Sequence, residues 1–231
     1  MKKLIIASTS TVYGGSYLEY LLPTLVSFFR GVSTIVFIPF ARPSGISYDD
    51  YTQKTARVFE KIGIQVKGIH EYENSIEAIK NAKGIFTGGG NTFELVNQLY
   101  KNNLLPTLLK VIENGTPYLG TSAGSNICGV SMMNTNDMPV VYPPSFITLG
   151  VIPFNINAHY IEPDTSSTHM GETRETRIRE FHTYNETSVL GLREGSWLEV
   201  LDTSIVLKGT KKARWFEKNT SAKELVTDSI L

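Results

Sequence analysis

The run Gly120-Thr121-Ser122-Ala123-Gly124 follows an apolar segment at residues 117–119. It is the place in the chain where a hydroxyl could become a nucleophile. In a G-x-S-x-G turn the backbone bends sharply from a strand into a helix. The flanking residues must be small, and the bend lifts the serine above the sheet beside helix N–H groups that can hold developing negative charge. A plain glycine–serine turn has the same composition, so the pattern gains meaning from the buried strand before it. A second run, Gly88-Gly89-Gly90-Asn91, follows the strand-like residues 84–87 and precedes a helical pattern. Three successive glycines cost backbone entropy, so either a tight strand–helix crossing or bare backbone donors must require them. Such donors serve an oxyanion hole or a phosphate cradle. No Gly-Lys-Ser/Thr follows, which argues against a P-loop. With Ser122 on the same sheet edge, the oxyanion hole is the better fit.

A serine nucleophile needs a base, and four histidines are available. His159 ends Phe154-Asn155-Ile156-Asn157-Ala158-His159, whose apolar and polar positions alternate as on a strand. His70 follows a short strand pattern and is the other candidate. His169 lies in a Ser/Thr loop, and His182 reads as a surface or boundary residue of a charged helix. Two carboxylates could accept the base's N–H. Asp137 sits in a polar turn closed by Pro139, where a local Asx hydrogen bond is the ordinary role. Glu194 sits in Gly191-Leu192-Arg193-Glu194-Gly195, where a surface turn is the ordinary alternative.

The elements that must position these residues follow from the apolar pattern. Residues 4–7, 34–38, 64–68, 84–87 and 117–120 read as short strands. Residues 17–29, 49–62, 75–81, 93–100 and 105–114 read as helices, Pro23 starting or kinking the first and Gly63 and Gly115 ending the second and last. Alternation of this kind predicts a parallel sheet covered on both faces, with ligands beyond the carboxyl ends of the strands. Residues 130–170 read as loop-rich and 173–184 as an amphipathic helix. Residues 188–216 read as short strands that extend the same sheet antiparallel. No repeat or linker interrupts the chain, so residues 1–231 are read as one domain.

Composition narrows the function classes. Lys plus Arg and Asp plus Glu number 22 each, so the 231-residue chain carries no net charge that would draw it to nucleic acid or a membrane surface. The single cysteine, Cys128, cannot form an internal disulfide or supply a metal cluster. The apolar run after Lys2 and Lys3 stops at Ser8, short of the roughly 7–15 residues of a signal-peptide core. No stretch approaches the ~18 apolar residues of a membrane span. These features lead to the expectation of a cytoplasmic protein.

Taken together, separated segments of the chain resemble peptidase E, the α-aspartyl dipeptidases. They are Phe37-Ile38-Pro39-Phe40, Gly88-Gly89-Gly90-Asn91-Thr92-Phe93, Ser122-Ala123-Gly124, Thr135-Asn136-Asp137-Met138-Pro139, Asn157-Ala158-His159, Gly171-Glu172-Thr173-Arg174-Glu175 and Glu194-Gly195. The resemblance implies an α/β fold, a three-layer α/β/α sandwich with a mostly parallel central sheet similar to class I glutamine amidotransferases and cyanophycinases. It implies Ser122 as nucleophile, His159 as general base and Glu194 as third member, while Asp137 matches a family aspartate assigned to the charge relay. It implies an oxyanion hole from Gly89, Gly90 and Ala123, with Asn91 and Arg174 binding the side chain of a substrate aspartate. The implied substrate is a short peptide with an N-terminal aspartate, cleaved by a monomer or homodimer without metal or organic cofactor. Residues 8–15 match the family loosely, and residues 161–170 depart from it. Three other functions share parts of this pattern: β-aspartyl peptide hydrolysis of the cyanophycinase kind, an α/β-hydrolase esterase, and a non-enzymatic nucleotide-binding module.

Overall fold

The computed structural model of the chain describes residues 1–163, 166, 168 and 170–231. Strands β1 (Lys3–Ala7), β2 (Thr34–Ile38), β4 (Ile85–Thr87) and β5 (Tyr118–Thr121) are short, almost wholly buried runs, and β3 (Gln65–Gly68) is a more exposed edge strand. They pair in parallel in the order β3-β2-β4-β5-β1. Successive strand residues face opposite sides. Ile5, Ala7, Ile35, Phe37, Phe86 and Leu119 therefore enter one core, and Leu4, Ile6, Val36, Ile38, Ile85 and Tyr118 enter another.

Helices α1 (Leu22–Phe28) and α2 (Tyr48–Phe59) cover the first face through Leu25, Phe28, Tyr51, Val58 and Phe59. Helices α3 (Ser75–Asn81), α4 (Thr92–Lys101) and α5 (Leu105–Glu113) cover the second through residues such as Ile79, Leu95, Leu99, Leu108 and Ile112. Pro23 lies in the first turn of α1, where its missing N–H breaks no helical hydrogen bond. The result is the expected parallel sheet between two helical layers.

The last third of the chain departs from the sequence expectation of one extended sheet. β8 (Ser196–Leu201) and β9 (Ser204–Gly209) do join β1 as an antiparallel hairpin, bringing the central sheet to seven strands. β7 (Val189–Leu192), β10 (Ala213–Phe216) and β11 (Lys223–Leu225) instead combine with β6 (Asn155–Ala158) in a separate four-stranded sheet, order β11-β10-β7-β6. Every residue of β6 and β7 is buried, whereas β8 alternates between buried and partly exposed positions. Helix α7 (Arg174–Tyr184) closes this second sheet, packing Ile178 and Phe181 with Tyr160, Val189 and Phe216. Among the described residues, no helix is long and apolar enough to cross a membrane.

Parallel pairing sends the carboxyl ends of β1, β4 and β5 to one edge of the large sheet, and those of β6 and β7 to one edge of the small sheet. The residues that follow these five ends form the site described next.

Candidate active site

Ser122 follows β5 directly and begins the single-turn helix α6 (Ala123–Asn126). Its backbone, at φ 54° and ψ −112°, lies where non-glycine residues seldom go, the strained geometry expected of a nucleophile turn. Close packing enforces the bend. A Cβ on Gly120 would lie 2.4 Å from the Gly124 carbonyl oxygen, and one on Gly124 would lie 2.2 Å from that of Thr87. The Ser122 N–H donates to the Ala7 carbonyl at 3.1 Å, which ties the turn to the end of β1. Because α6 is only one turn long, its macrodipole contributes little. Charge stabilisation here must come from individual N–H groups.

His159, the candidate base, is the first residue after β6. Its Nε2 stands 2.9 Å from Ser122 Oγ, and its Nδ1 stands 2.6 Å from Glu194 Oε1. A carboxylate can only accept at this distance, so Nδ1 carries the proton and Nε2 offers its lone pair to the Ser122 hydroxyl. The register explains the pairing. Ala158 is opposite Leu192 in the parallel β6–β7 pair, so His159 and Glu194 leave adjacent strand ends in the same direction. Both side chains remain open to solvent, at 39% and 45% exposure. Tyr20 flanks the pair: burial raises its hydroxyl pKa, and the Glu194 charge adds to the rise.

The glycine loop abuts Ser122. A Cβ on Gly89 would lie 2.9 Å from Ser122 Cβ, and one on Gly90, at φ 147°, would strike the Ala41 carbonyl oxygen at 2.1 Å. The Gly88 and Asn91 N–H groups are occupied by the carbonyls of Ile38 and Ala41. Those of Gly89 and Gly90 have no backbone acceptor among the described residues, and neither does that of Ala123, as the first residue of a helix. The Tyr51 hydroxyl donates to the Gly89 carbonyl at 3.2 Å. In a trans peptide this turns the Gly90 N–H to the opposite side.

The other sequence candidates have different surroundings. Asp137 is bonded to neither ring nitrogen of His159, which face Glu194 and Ser122. Its carboxylate accepts the Thr92 N–H at 2.7 Å and the Thr135 hydroxyl at 3.1 Å, compensating the positive N-terminus of α4. Asn91 is that helix's N-cap: its side-chain oxygen accepts from the Glu94 N–H and its amide donates to the Met138 carbonyl. These contacts fix the side chain and use one of the two amide N–H groups. His70 pairs with Asp49 at 2.9 Å, away from Ser122. His182 is buried rather than superficial, bonded to the Thr187 carbonyl. His169 lies outside the described residues. Cys128 is fully buried and burial pushes its thiol pKa well up, so it stays protonated and inert.

Arg174 opens α7 and is half-buried. The sequence offers Glu175 and Glu180 as partners, but Glu175 binds Arg179 and Arg214, and Glu180 binds Arg177. Arg174 therefore has no ion-pair partner among the described residues, and it stands at the helix end that disfavours a cation. Sequence reasoning missed two contributors. Tyr51 resembles any core aromatic of an amphipathic helix. Ser8 lies in a Ser/Thr run whose only signal is its place at the carboxyl end of β1.

Residues 4–208 match the profile of Peptidase family S51. A protein of Streptomyces coelicolor named "Peptidase E" is 44% identical over 228 residues, covering 99% of this chain and 93% of its own. A Drosophila melanogaster protein named "Probable alpha-aspartyl dipeptidase" is 40% identical over 227 residues, covering 97% and 93%. The solved structure of a peptidase from an acI-B1 Actinobacterium superposes with a TM-score of 0.75 over 100% of this chain and 96% of that one; at 16% identity this likeness concerns the fold. With a strained serine, a histidine and a carboxylate in hydrogen-bonded sequence and relatives matched over nearly their full length, the chain belongs to peptidase family S51, the serine peptidases that include peptidase E.

Proposed function

We propose that the protein hydrolyses short peptides after an N-terminal aspartate, through an acyl-enzyme on Ser122, within one catalytic domain spanning residues 1–231. The observation that carries the proposal is the chain Ser122 Oγ to His159 Nε2 to Glu194, at 2.9 and 2.6 Å. As Oγ attacks the carbonyl carbon, its proton passes to Nε2, and Glu194 stabilises the resulting imidazolium. The N–H groups of Gly89, Gly90 and Ala123 bind the oxyanion. The imidazolium then protonates the departing amine as the C–N bond breaks. Water, deprotonated by His159, hydrolyses the ester and returns the proton to Ser122. Arg174 receives the aspartate side chain. Its lack of a counter-charge among the described residues supports this role: a bidentate carboxylate would satisfy it, and an asparagine would leave it unpaired.

The test is hydrolysis of Asp-p-nitroanilide, with Ala-, Asn- and Glu-p-nitroanilides as controls. Wild type should cleave the aspartyl compound alone. Ser122→Ala should lower kcat by about 10⁴-fold or more, and Arg174→Met should lower kcat/KM for the aspartyl substrate by about 10²-fold. Cleavage of β-aspartyl peptides in place of the α-linked compound would move the linkage assignment. Unaltered turnover by Ser122→Ala would remove the nucleophile assignment.

A further inference from the structure

β1 ends at Ala7, and Ala7 and Ser8 together touch the backbone of Ser122, of His159 and of the strand end that precedes Glu194. The Ala7 carbonyl accepts the Ser122 N–H at 3.1 Å and the Ser125 hydroxyl at 2.7 Å. The Ser8 hydroxyl accepts the His159 N–H at 3.0 Å and donates to the Leu192 carbonyl at 2.6 Å. The roles are unambiguous, because an N–H can only donate, a carbonyl can only accept, and a hydroxyl has one proton. Leu192 ends β7, two residues before Glu194. Ser8 is fully buried, and its own N–H is held by the Ser196 carbonyl at 3.1 Å. It is a fixed point rather than a mobile side chain.

His159 gives this contact its meaning. Its φ of 56° is unusual for a residue with a side chain, and such a conformation persists only where the surroundings over-determine it. The Ser8 hydroxyl is the acceptor of its N–H. The same hydroxyl donates to the carbonyl of Leu192, two residues before Glu194, which also accepts the Tyr160 N–H at 3.2 Å.

We propose that Ser8 is a positioning residue for catalysis, whose hydroxyl locks His159 and the Glu194-bearing strand end to the β1 edge that also anchors Ser122. This rests on the triad reading given above. Ser8 touches neither substrate nor the transferred proton. It holds Nε2 at hydrogen-bonding distance from Oγ across the junction of two sheets, where a displacement of about 1 Å can cost about 10²-fold in rate.

The experiment compares wild type, Ser8→Ala, Ser8→Cys and Ser122→Ala on Asp-p-nitroanilide, with far-UV circular dichroism and Tm recorded for each. Ser8→Cys is nearly isosteric, so it keeps the packing while weakening both hydrogen bonds. Both Ser8 variants are expected to lose about 10- to 100-fold in kcat, with KM within about threefold of wild type, since substrate binding does not involve Ser8. The double variant Ser8→Ala/Glu194→Gln should be little worse than the poorer single one, because both changes act through His159. Wild-type kcat in a folded Ser8→Cys or Ser8→Ala protein would overturn the proposal, as would fully multiplicative losses in the double variant. An inactive Ser122→Ala beside fully active Ser8 variants would remove the role of Ser8 alone. An active Ser122→Ala would remove the underlying triad as well.

Discussion

Glu194 accepts a hydrogen bond from His159 Nδ1 at 2.6 Å, whereas Asp137 accepts from the Thr92 N–H at 2.7 Å and the Thr135 hydroxyl at 3.1 Å. The first contact fixes a tautomer and, in the proposed mechanism, stabilises an imidazolium. The second stabilises a helix start beside the glycine loop. Two substitutions separate these jobs. Glu194→Gln should lower kcat by about 10²-fold, less than the loss known for fully buried triads because Glu194 is 45% exposed, and should leave Tm nearly unchanged. Asp137→Ala should instead lower unfolding stability by about 1 kcal/mol, the usual worth of a helix-terminal acceptor, and lower kcat less than Glu194→Gln does. Denaturant melts and saturating-substrate rates decide it. An Asp137→Ala protein of native stability with the larger kcat loss would reverse the assignment. The chain alone could not rank the two carboxylates, since both lie in polar turns. It did mark Ser122, Gly89 and Gly90, because strained or crowded backbone restricts residue type in a way a reader of sequence can see.

At the scale of elements, strand–helix alternation was legible because each buried strand is a short apolar run between turn residues. Which sheet the late strands join was not, since pairing depends on a partner's register as much as on a strand's own pattern. The β6–β7 register is what makes Glu194 the partner of His159. A second device at this scale is a charge network around the same strand ends. Arg214 binds Glu175 at 2.9 Å and Glu162 at 3.4 Å, and Arg193 binds Glu162 and, at 2.8 Å, Glu224. Glu162 follows His159 by three residues, Glu175 adjoins Arg174, and Arg193 adjoins Glu194. The network therefore ties the first turn of α7 to the catalytic strand ends. Replacing Arg214 with Met should raise KM for aspartyl substrates by about 3- to 10-fold with a smaller change in kcat, the worth of a few partly exposed pairs. Added salt should raise the wild-type KM in the same direction. A KM within twofold of wild type at low salt would show that α7 holds Arg174 without this brace.

Across the whole molecule, the site joins two sheets. Ser122 and the glycine loop leave the seven-stranded sheet, whereas His159 and Glu194 leave the four-stranded one. In the proposed mechanism, stability of the small sheet is thus a condition for catalysis, and its outer strands give that stability a pH dependence. Glu224 on β11 has its pKa lowered, first by its hydrogen bond to Arg193 next to Glu194, against an opposing effect of burial. Because the folded-state value lies below the ordinary one near 4.5, unfolding takes up a proton in this range. The contribution of the pair is complete above about pH 4.5 and is lost as the pH falls through the lowered value. Glu224 is 38% exposed, so solvent screening limits that contribution to about 0.5–1 kcal/mol. Wild type should therefore lose Tm on acidification more steeply than Glu224→Gln, while the variant should be the less stable protein at neutral pH. Melting curves of both from pH 7 down to pH 3 measure the difference directly. Parallel curves would mean that the Arg193–Glu224 pair contributes nothing to the acid limb, and the stability of the small sheet would then rest on its apolar contacts, Ile156, Leu190 and Leu192 on one side and Tyr160, Val189 and Phe216 on the other, and on its remaining polar pairs.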